Sequence, residues 1–394
     1  MLKNIAETKD LMERCYGCRA CEQICKNNAI QIILNKEGFL YPQIDINNCI
    51  ECRLCINVCP VLEHPKQEND KPLKVFAAWS KDHKRREFAT SGGMFFEIAQ
   101  KTIQKGGVVF GAAYDRNWNL EHSKAETLEG CVKFCGSKYA QSNTKLTYSE
   151  VKQYLEDGRF VYYTGTPCQI AGLKNFLKSD HPYLITSDIV CHGTPSNLLF
   201  KKEILWRETQ KGKRIESLSY RNKDRFGWGY DCKIIWYNGK IEYEDSCNSP
   251  FFNGFWENKT LRKSCYACQF ASIPRMGDIT LADFWGVKKH VKRIRHTGKG
   301  VSMILVNSKK GEQLLQTLDN VEFHNSDLHT ALSVQAHLSR PVKQPASRNR
   351  IYDEAYTEEY GHFARYNIVS SRIAELKRHL RNFIKRIILW KYWK

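Results

Sequence analysis

The chain has 394 residues, 16 of them cysteine, and sets 61 Lys and Arg against 42 Asp and Glu for a formal net charge of +19. That length holds two or three domains, no apolar run approaches the ~20 residues of a membrane span, and Met1 to Glu13 offers no apolar leader segment. A cytoplasmic setting is expected, with cysteines serving metal rather than disulfides, and the charge suits an acidic or anionic partner; no nucleic-acid motif accompanies it, so no nucleic acid is expected.

The first predicted element is a repeat. Cys15-Tyr-Gly-Cys18-Arg-Ala-Cys21-Glu-Gln-Ile-Cys25 and Cys49-Ile-Glu-Cys52-Arg-Leu-Cys55-Ile-Asn-Val-Cys59 share the spacing Cys-x2-Cys-x2-Cys-x3-Cys. This resembles bacterial ferredoxins with two [4Fe–4S] clusters. There, a tight loop gives three cysteines to one cubane and the next turn sends the fourth to the other. The expected sets are Cys15, Cys18, Cys21 and Cys59 on one cluster, and Cys49, Cys52, Cys55 and Cys25 on the second. Zinc takes separated cysteine pairs and fits poorly. Between the halves, Ile30, Ile32 and Leu34 alternate, Gly38 can turn, and Phe39 to Ile44 can return as a second strand. Pro60 follows the second half while Lys26 holds the matching place in the first, which loosens that corner without removing a ligand.

Residues 61–73 are polar, carry two prolines and read as a linker. Val75 to Trp79 is a predicted strand. Ser91-Gly92-Gly93 then opens a helix with Phe95, Ile98, Ala99 and Ile103 on one face; such a turn suits either a phosphate or plain capping. A glycine-bounded strand ends at Tyr114 and is followed by Gly136-Ser137-Lys138-Tyr139-Ala140-Gln141-Ser142 and a helix from Ser149 to Leu155. The strand Phe160 to Tyr163 runs into Gly165-Thr166-Pro167-Cys168-Gln169. The strand Tyr183 to Val190 ends in Cys191-His192-Gly193-Thr194-Pro195-Ser196. Both cysteines thus sit at the carboxyl ends of strands, where open α/β sheets place their sites. Arg221, Lys223 and Arg225 lie in a basic aromatic loop, fit either to neutralise an acidic substrate or to be solvated. Cys265 and Cys268 form an isolated Cys-x2-Cys, and a further strand ends in Asp283-Phe284-Trp285-Gly286. Met303 to Asn307 reads as one more strand, with a turn at Lys309-Lys310-Gly311 and then a helix.

These motifs, in this order, resemble the coenzyme F-420 hydrogenase/dehydrogenase beta-subunit family over residues 74 to about 310. The resemblance implies FAD as well as iron–sulfur clusters, and electron traffic between the clusters and an organic hydride acceptor or donor. In methanogens that partner is the deazaflavin coenzyme, and a plant relative reduces a chlorophyll side chain. For FAD the resemblance points to Ser91, Gly92, Gly93, Ser137, Lys138, Tyr139, Gln141 and Ser142. Cys168, Cys191, Cys265 and Cys268 each lie inside a family motif and are expected to bind a third [4Fe–4S] cluster; on the residues alone, buried structural cysteines and a zinc half-site stay open. His192 is expected to bond a cluster sulfur rather than donate a proton, and no catalytic residue is assigned. Cys131, Cys135, Cys232 and Cys247 match no motif and are expected to pack.

From Ser339 to Arg350 the chain reads as a proline-bearing linker. Beyond Arg372, Ile373, Leu376, Leu380, Phe383, Ile387 and Trp390 share one helical face opposite a basic one, which suits either peripheral contact with an anionic inner membrane surface or packing on its own domain. The expected fold class is α+β, with a dicluster ferredoxin-like domain at 1–64 and a mixed α/β flavin-binding, iron–sulfur domain at 74–325. A linker and partly helical segment at 326–371 and a basic amphipathic helix at 372–394 form a C-terminal helical tail. The expected function is an iron–sulfur, flavin-dependent oxidoreductase. It would pass electrons from a ferredoxin-like donor through [4Fe–4S] clusters to FAD and on to a small-molecule or glycan acceptor, with polysaccharide biosynthesis as one setting. The alternative is a non-catalytic electron-transfer subunit feeding a partner enzyme.

Overall fold

The computed structural model describes residues 3–368 apart from Lys9, Arg293 and Tyr356, together with Leu376, Leu380 and Phe383. The amphipathic helix expected over 372–394 lies outside the described residues, except that these last three are helical and exposed. No helix among the described residues is long and apolar enough to cross a membrane.

The cysteine repeat folds as a repeat. Gly17 and Glu51, then Arg19 and Arg53, hold left-handed backbone at matching places, with φ of 64° and 55°, then 64° and 63°. Alternating handedness curls a loop so that its N–H groups face inward, a concavity suited to an anion. Between the halves, β1 (Ile30–Leu34) pairs antiparallel with β2 (Leu40–Ile44), the expected hairpin.

The rest is built on one eight-stranded sheet. Its strands are β3 (Lys74–Ser80), β4 (Val108–Tyr114), β5 (Leu120–Ala125), β6 (Val161–Gly165), β7 (Leu184–Ile189), β11 (Ile279–Asp283), β12 (Ser302–Val306) and β13 (Val321–Ser326), in the order β13-β3-β12-β11-β7-β6-β4-β5. The central pairs β4–β6, β6–β7 and β7–β11 are parallel and the flanking pairs antiparallel. The apolar runs of β4, β6 and β12 follow from burial on both faces, since helices cover each side. On one face the helices Thr147–Glu156 and Pro167–Leu177 share a core with Leu11, Tyr16, Cys18, Ile56 and Val58, so the ferredoxin module docks directly on the sheet layer. On the other, the helix Met94–Gln104 packs with Val109, Tyr162, Ile304 and Leu315.

Between β7 and β11 an insertion folds over the strand ends. It carries the helix Asn197–Lys211, the antiparallel sheet β8 (Ile215–Asn222), β9 (Asp231–Trp236) and β10 (Ile241–Asp245), and the helix Pro250–Trp256. Its core takes in Ile351, Phe363 and Ile368. The segment expected as a linker from Ser339 to Arg350 is therefore anchored. Arg348 is fully buried, pairs with Glu37 at the tip of the β1–β2 hairpin, and also donates to Leu261 O.

Gly311 is a second departure. Expected in a turn, it lies inside the helix Lys309–Gln316, where an added Cβ would stand 2.6 Å from Asp278 O. Close packing, not turning, explains that glycine.

Candidate functional site

The cysteines of each expected ferredoxin set lie close together. Cys25, Cys49, Cys52 and Cys55 line one pocket. In the other set, burial and then the neighbouring Cys59 and Cys15 hold the Cys18 thiol well above its ordinary range. Burial, with Cys18, Cys15 and Cys59 beside it, does the same to Cys21. Buried thiols crowded in this way resist ionising on their own account, and iron supplies the missing positive charge. Gly17 N donates to Cys15 Sγ at 3.3 Å and Asn4 Nδ2 to Cys49 Sγ at 3.9 Å.

Four further cysteines converge from separate elements. Cys168 opens the helix after β6, Cys191 follows β7, and Cys265 and Cys268 come from the short helix Lys263–Ala267 and its end. All four line one small pocket with Tyr16 and Phe270. Burial, followed by the other three sulfurs, raises Cys191 well above the ordinary thiol value, and burial with Cys268 pushes Cys168 up to about 12. Among the described residues no three His, Cys, Asp or Glu side chains converge as the ligands of a single ion do; a cubane binds each thiolate through a separate iron and so keeps them apart.

The donor set fits an anionic cluster for a second reason. Arg262 is 1% exposed, and among the described residues its guanidinium donates only to neutral acceptors: Cys15 O at 2.6 Å, Gln141 Oε1 at 2.9 Å and Leu40 O at 2.9 Å. A buried cation without a carboxylate is costly. Thiolates held by iron at Cys168 and Cys265, both of which feel Arg262, would balance it.

Beside this pocket lies a cavity of about 450 Å³ at the carboxyl ends of β6, β7 and β11. Cys168, Cys191 and Cys265 line it as well, so three of the four sulfurs border both spaces. Of the residues expected at FAD, Ser137, Lys138, Tyr139, Gln141 and Ser142 line the cavity, whereas Ser91, Gly92 and Gly93 are not in its wall. That glycine turn packs against β12 instead: Gly92 N donates to Ser302 Oγ at 3.0 Å, and a Cβ on Gly92 would clash with Ala78 O. The turn still touches the wall, through Ser137 Oγ to Thr90 Oγ1 at 3.1 Å. Lys138 is half-buried and donates to Lys133 O and Cys135 O, and burial pushes its pKa down to about 8. Gln141 and Ser142 spend side-chain bonds on Tyr16 O and Gln169.

The insertion supplies the opposite wall. Trp285 stacks on Trp228 at 4.2 Å and on Tyr230 at 5.6 Å, while Phe255 and Trp256 flank them. Of the basic loop, only Arg221 lines the cavity, against Tyr230 and paired with Asp283 at 3.0 Å. Lys223 is buried and donates to the carbonyls of Arg86, Ser91 and Lys299, and Arg225 pairs with Asp231. Lys223 is therefore neither solvated nor in the cavity wall, whereas Arg225 is exposed and solvated beside its ion pair. His192 departs from expectation too: His337 and Asn258 take its two ring nitrogens, leaving neither for a cluster sulfur. Cys131 and Cys232 are fully buried in packed cores. His122, Tyr230, Phe255, Trp256 and His337 also line the cavity, and nothing in their local sequence marks them. Arg262 has a signal, three places before Cys265.

Two family models match the chain. Residues 158–328 match the one for the C terminus of the coenzyme F420 hydrogenase/dehydrogenase beta subunit, and residues 14–62 match the 4Fe-4S dicluster domain. A solved chain of the F420-reducing [NiFe] hydrogenase complex from Methanosarcina barkeri is similar at 16% identity, covering 64% of this chain and 82% of that one with a TM-score of 0.44. No curated protein matches the chain.

Proposed function

We propose that this chain, which matches the C terminus of the coenzyme F420 hydrogenase/dehydrogenase beta subunit over residues 158–328 and the 4Fe-4S dicluster domain over residues 14–62, is a flavin-dependent iron–sulfur oxidoreductase. In this reading it draws electrons from a ferredoxin-like donor and reduces an organic acceptor, a small molecule or a glycan, in the 450 Å³ cavity. The observation that supports it is the shared wall: Cys168, Cys191 and Cys265 border both the inner four-cysteine pocket and the cavity. When bound, the clusters carry single electrons and FAD pairs them for hydride transfer.

The chain's own residues position these parts. Tyr16, between Cys15 and Cys18, lines both spaces and packs at a tilt against Phe270, so the ferredoxin module and the inner pocket meet at one side chain. Arg262 ties Cys15 O to Gln141 and holds positive charge at that junction. Lys138 offers a cation to a phosphate, and Tyr230 and Trp285, the latter backed by Trp228, give an aromatic wall that keeps water off a ring.

Iron, sulfide and released flavin per chain, measured on anaerobically purified protein, test the proposal. About twelve irons, or three cubanes, with one FAD is the expected result. About eight irons and no flavin would mean that only the dicluster module fills, and would turn the reading to a non-catalytic electron-transfer subunit.

A further inference from the structure

The three cysteine sets differ in what donates to their sulfurs. Backbone N–H groups serve all three: Gly17 at Cys15, Ile5 and Ile56 at Cys55, and Phe270 and Ala271 at Cys268. Hydroxyls gather at the inner pocket. Thr166 Oγ1 lies 3.1 Å from Cys168 Sγ and Thr194 Oγ1 3.9 Å from Cys265 Sγ. An iron-bound sulfur has no proton to give, so in both pairs the threonine donates. The third hydroxyl is that of Tyr16, which is 6% exposed and lines the same pocket. Gln269 N donates to Tyr16 Oη at 3.2 Å, and the hydroxyl in turn bonds Cys268 Sγ. Against these three, the ferredoxin sets have the Asn4 amide, 3.9 Å from Cys49 Sγ.

The charges differ too. Cys168 and Cys265 both feel the buried Arg262, and Cys265 also feels Arg348. The charges that weigh most on Cys18, Cys21 and Cys59 are those of other cysteines. A reduced cluster carries one more negative charge than an oxidised one, so hydrogen bonds to its sulfurs and a nearby cation favour the reduced form and raise the potential. Water at the exposed Cys52 acts in the same sense on the outer ferredoxin set, but along one edge. The inner pocket has donors on three sulfurs and a fixed cation, and these outweigh that edge.

We propose that Tyr16, Thr166 and Thr194, together with Arg262, make the inner pocket the site of highest potential among the three cysteine sets. This rests on the reading above that the pocket holds a cluster, and it adds a direction. One electron passed from the ferredoxin module oxidises the cluster it leaves and reduces the inner one. It then rests behind the wall that Cys168, Cys191 and Cys265 share with the cavity. Tyr16 serves both sides, since it stands between Cys15 and Cys18 of the module and donates to a sulfur of the inner pocket.

The full chain, purified anaerobically with its iron, is titrated potentiometrically and read by EPR, with Tyr16→Phe, Thr166→Val and Thr166→Ser beside it. The signal missing from Cys265→Ser marks the inner site. In the wild type that signal is expected to appear first as the potential is lowered. Tyr16→Phe and Thr166→Val should each delay it by about tenfold in the redox equilibrium, or about 59 mV for a one-electron couple. The signal of the Cys25, Cys49, Cys52 and Cys55 set should stay in place. Thr166→Ser keeps the hydroxyl and should keep the wild-type value, which separates hydrogen bonding from packing. An inner signal that does not appear first, or that neither Tyr16→Phe nor Thr166→Val moves, overturns the inference. Should a variant lose iron, the order of the wild-type signals decides. About twelve irons with a low inner potential would end this inference and leave the three-cluster reading standing, whereas about eight irons would end both.

Discussion

Arg262 and Lys138 show how much of this molecule turns on single buried cations. Arg262 has no carboxylate among the described residues and sits where the first cysteine loop, the cavity and the inner pocket meet. Removing its charge should make reduction of the adjoining cluster harder. Arg262→Gln is expected to lower that midpoint potential by roughly 60 mV, the equivalent of ~1.4 kcal/mol for a one-electron couple, read from an EPR-monitored redox titration. An unchanged potential would show the residue to be a structural strut. Lys138 acts through pH. Burial pushes its pKa down to about 8, while in the unfolded chain it holds its proton until about pH 10.4. Between those values the unfolded state binds more protons, so this group's contribution to stability rises with pH across that window. Affinity for an anion runs the other way and falls as pH rises through about 8. FAD titrations across that value should show the break in the wild type, and Lys138→Met should flatten it.

At the scale of elements, the helix Pro167–Leu177 joins the inner four-cysteine pocket to the ferredoxin module. Cys168 opens it, and one turn later Gly172 lies against the ferredoxin module, where an added Cβ would meet Cys18 Sγ at 2.9 Å and Tyr148 Oη at 3.2 Å. Gly172→Ala is therefore expected to displace Cys18 and cost one cluster, about four irons per chain, while Cys25, Cys49, Cys52 and Cys55 keep theirs. Cys265→Ser should also remove about four irons, but from the inner pocket. Mössbauer or EPR spectra of the two variants should differ in which cluster is missing; identical spectra would mean that the sites are not separate. Beyond its opening Thr166-Pro167 this helix is not legible in the sequence, because Ile170, Ala171, Gly172 and Leu173 are buried on nearly all sides and leave no amphipathic period to find.

Across the whole molecule, the C-terminal segment straps the ferredoxin hairpin to the insertion. Glu37 meets buried Arg348, Phe39 packs on Tyr352 at 5.7 Å, and Tyr352 Oη donates to Thr260 O at 2.6 Å. Breaking the ion pair from one side strands a buried charge. Arg348→Met should cost about 3–5 kcal/mol, whereas the double change with Glu37→Leu should cost far less. A double-mutant cycle by thermal or denaturant unfolding measures this, and additive costs would show that the two side chains do not depend on each other. The sequence around Arg348, with its prolines and many basic residues, suggests a linker because local composition carries no record of a distant carboxylate.

Covalent spacing alone pointed to a dicluster domain, which the match over residues 14–62 bears out, since Cys-x2-Cys-x2-Cys-x3-Cys leaves a short loop few ways to present its sulfurs. It also determined the strands that end at Cys168 and Cys191, because an apolar run closed by a glycine or proline turn is a local signal. Tertiary structure decided the rest. Bringing Cys265 and Cys268 to those strand ends required the whole insertion between β7 and β11 to fold back over the sheet. The same fold directed Ser91 and Gly92 into packing, gave Lys223 to three carbonyls, and left Arg221 as the cation of the loop that lines the cavity. Which of several like residues faces a ligand depends on contacts far apart in the chain, and no local pattern encodes them.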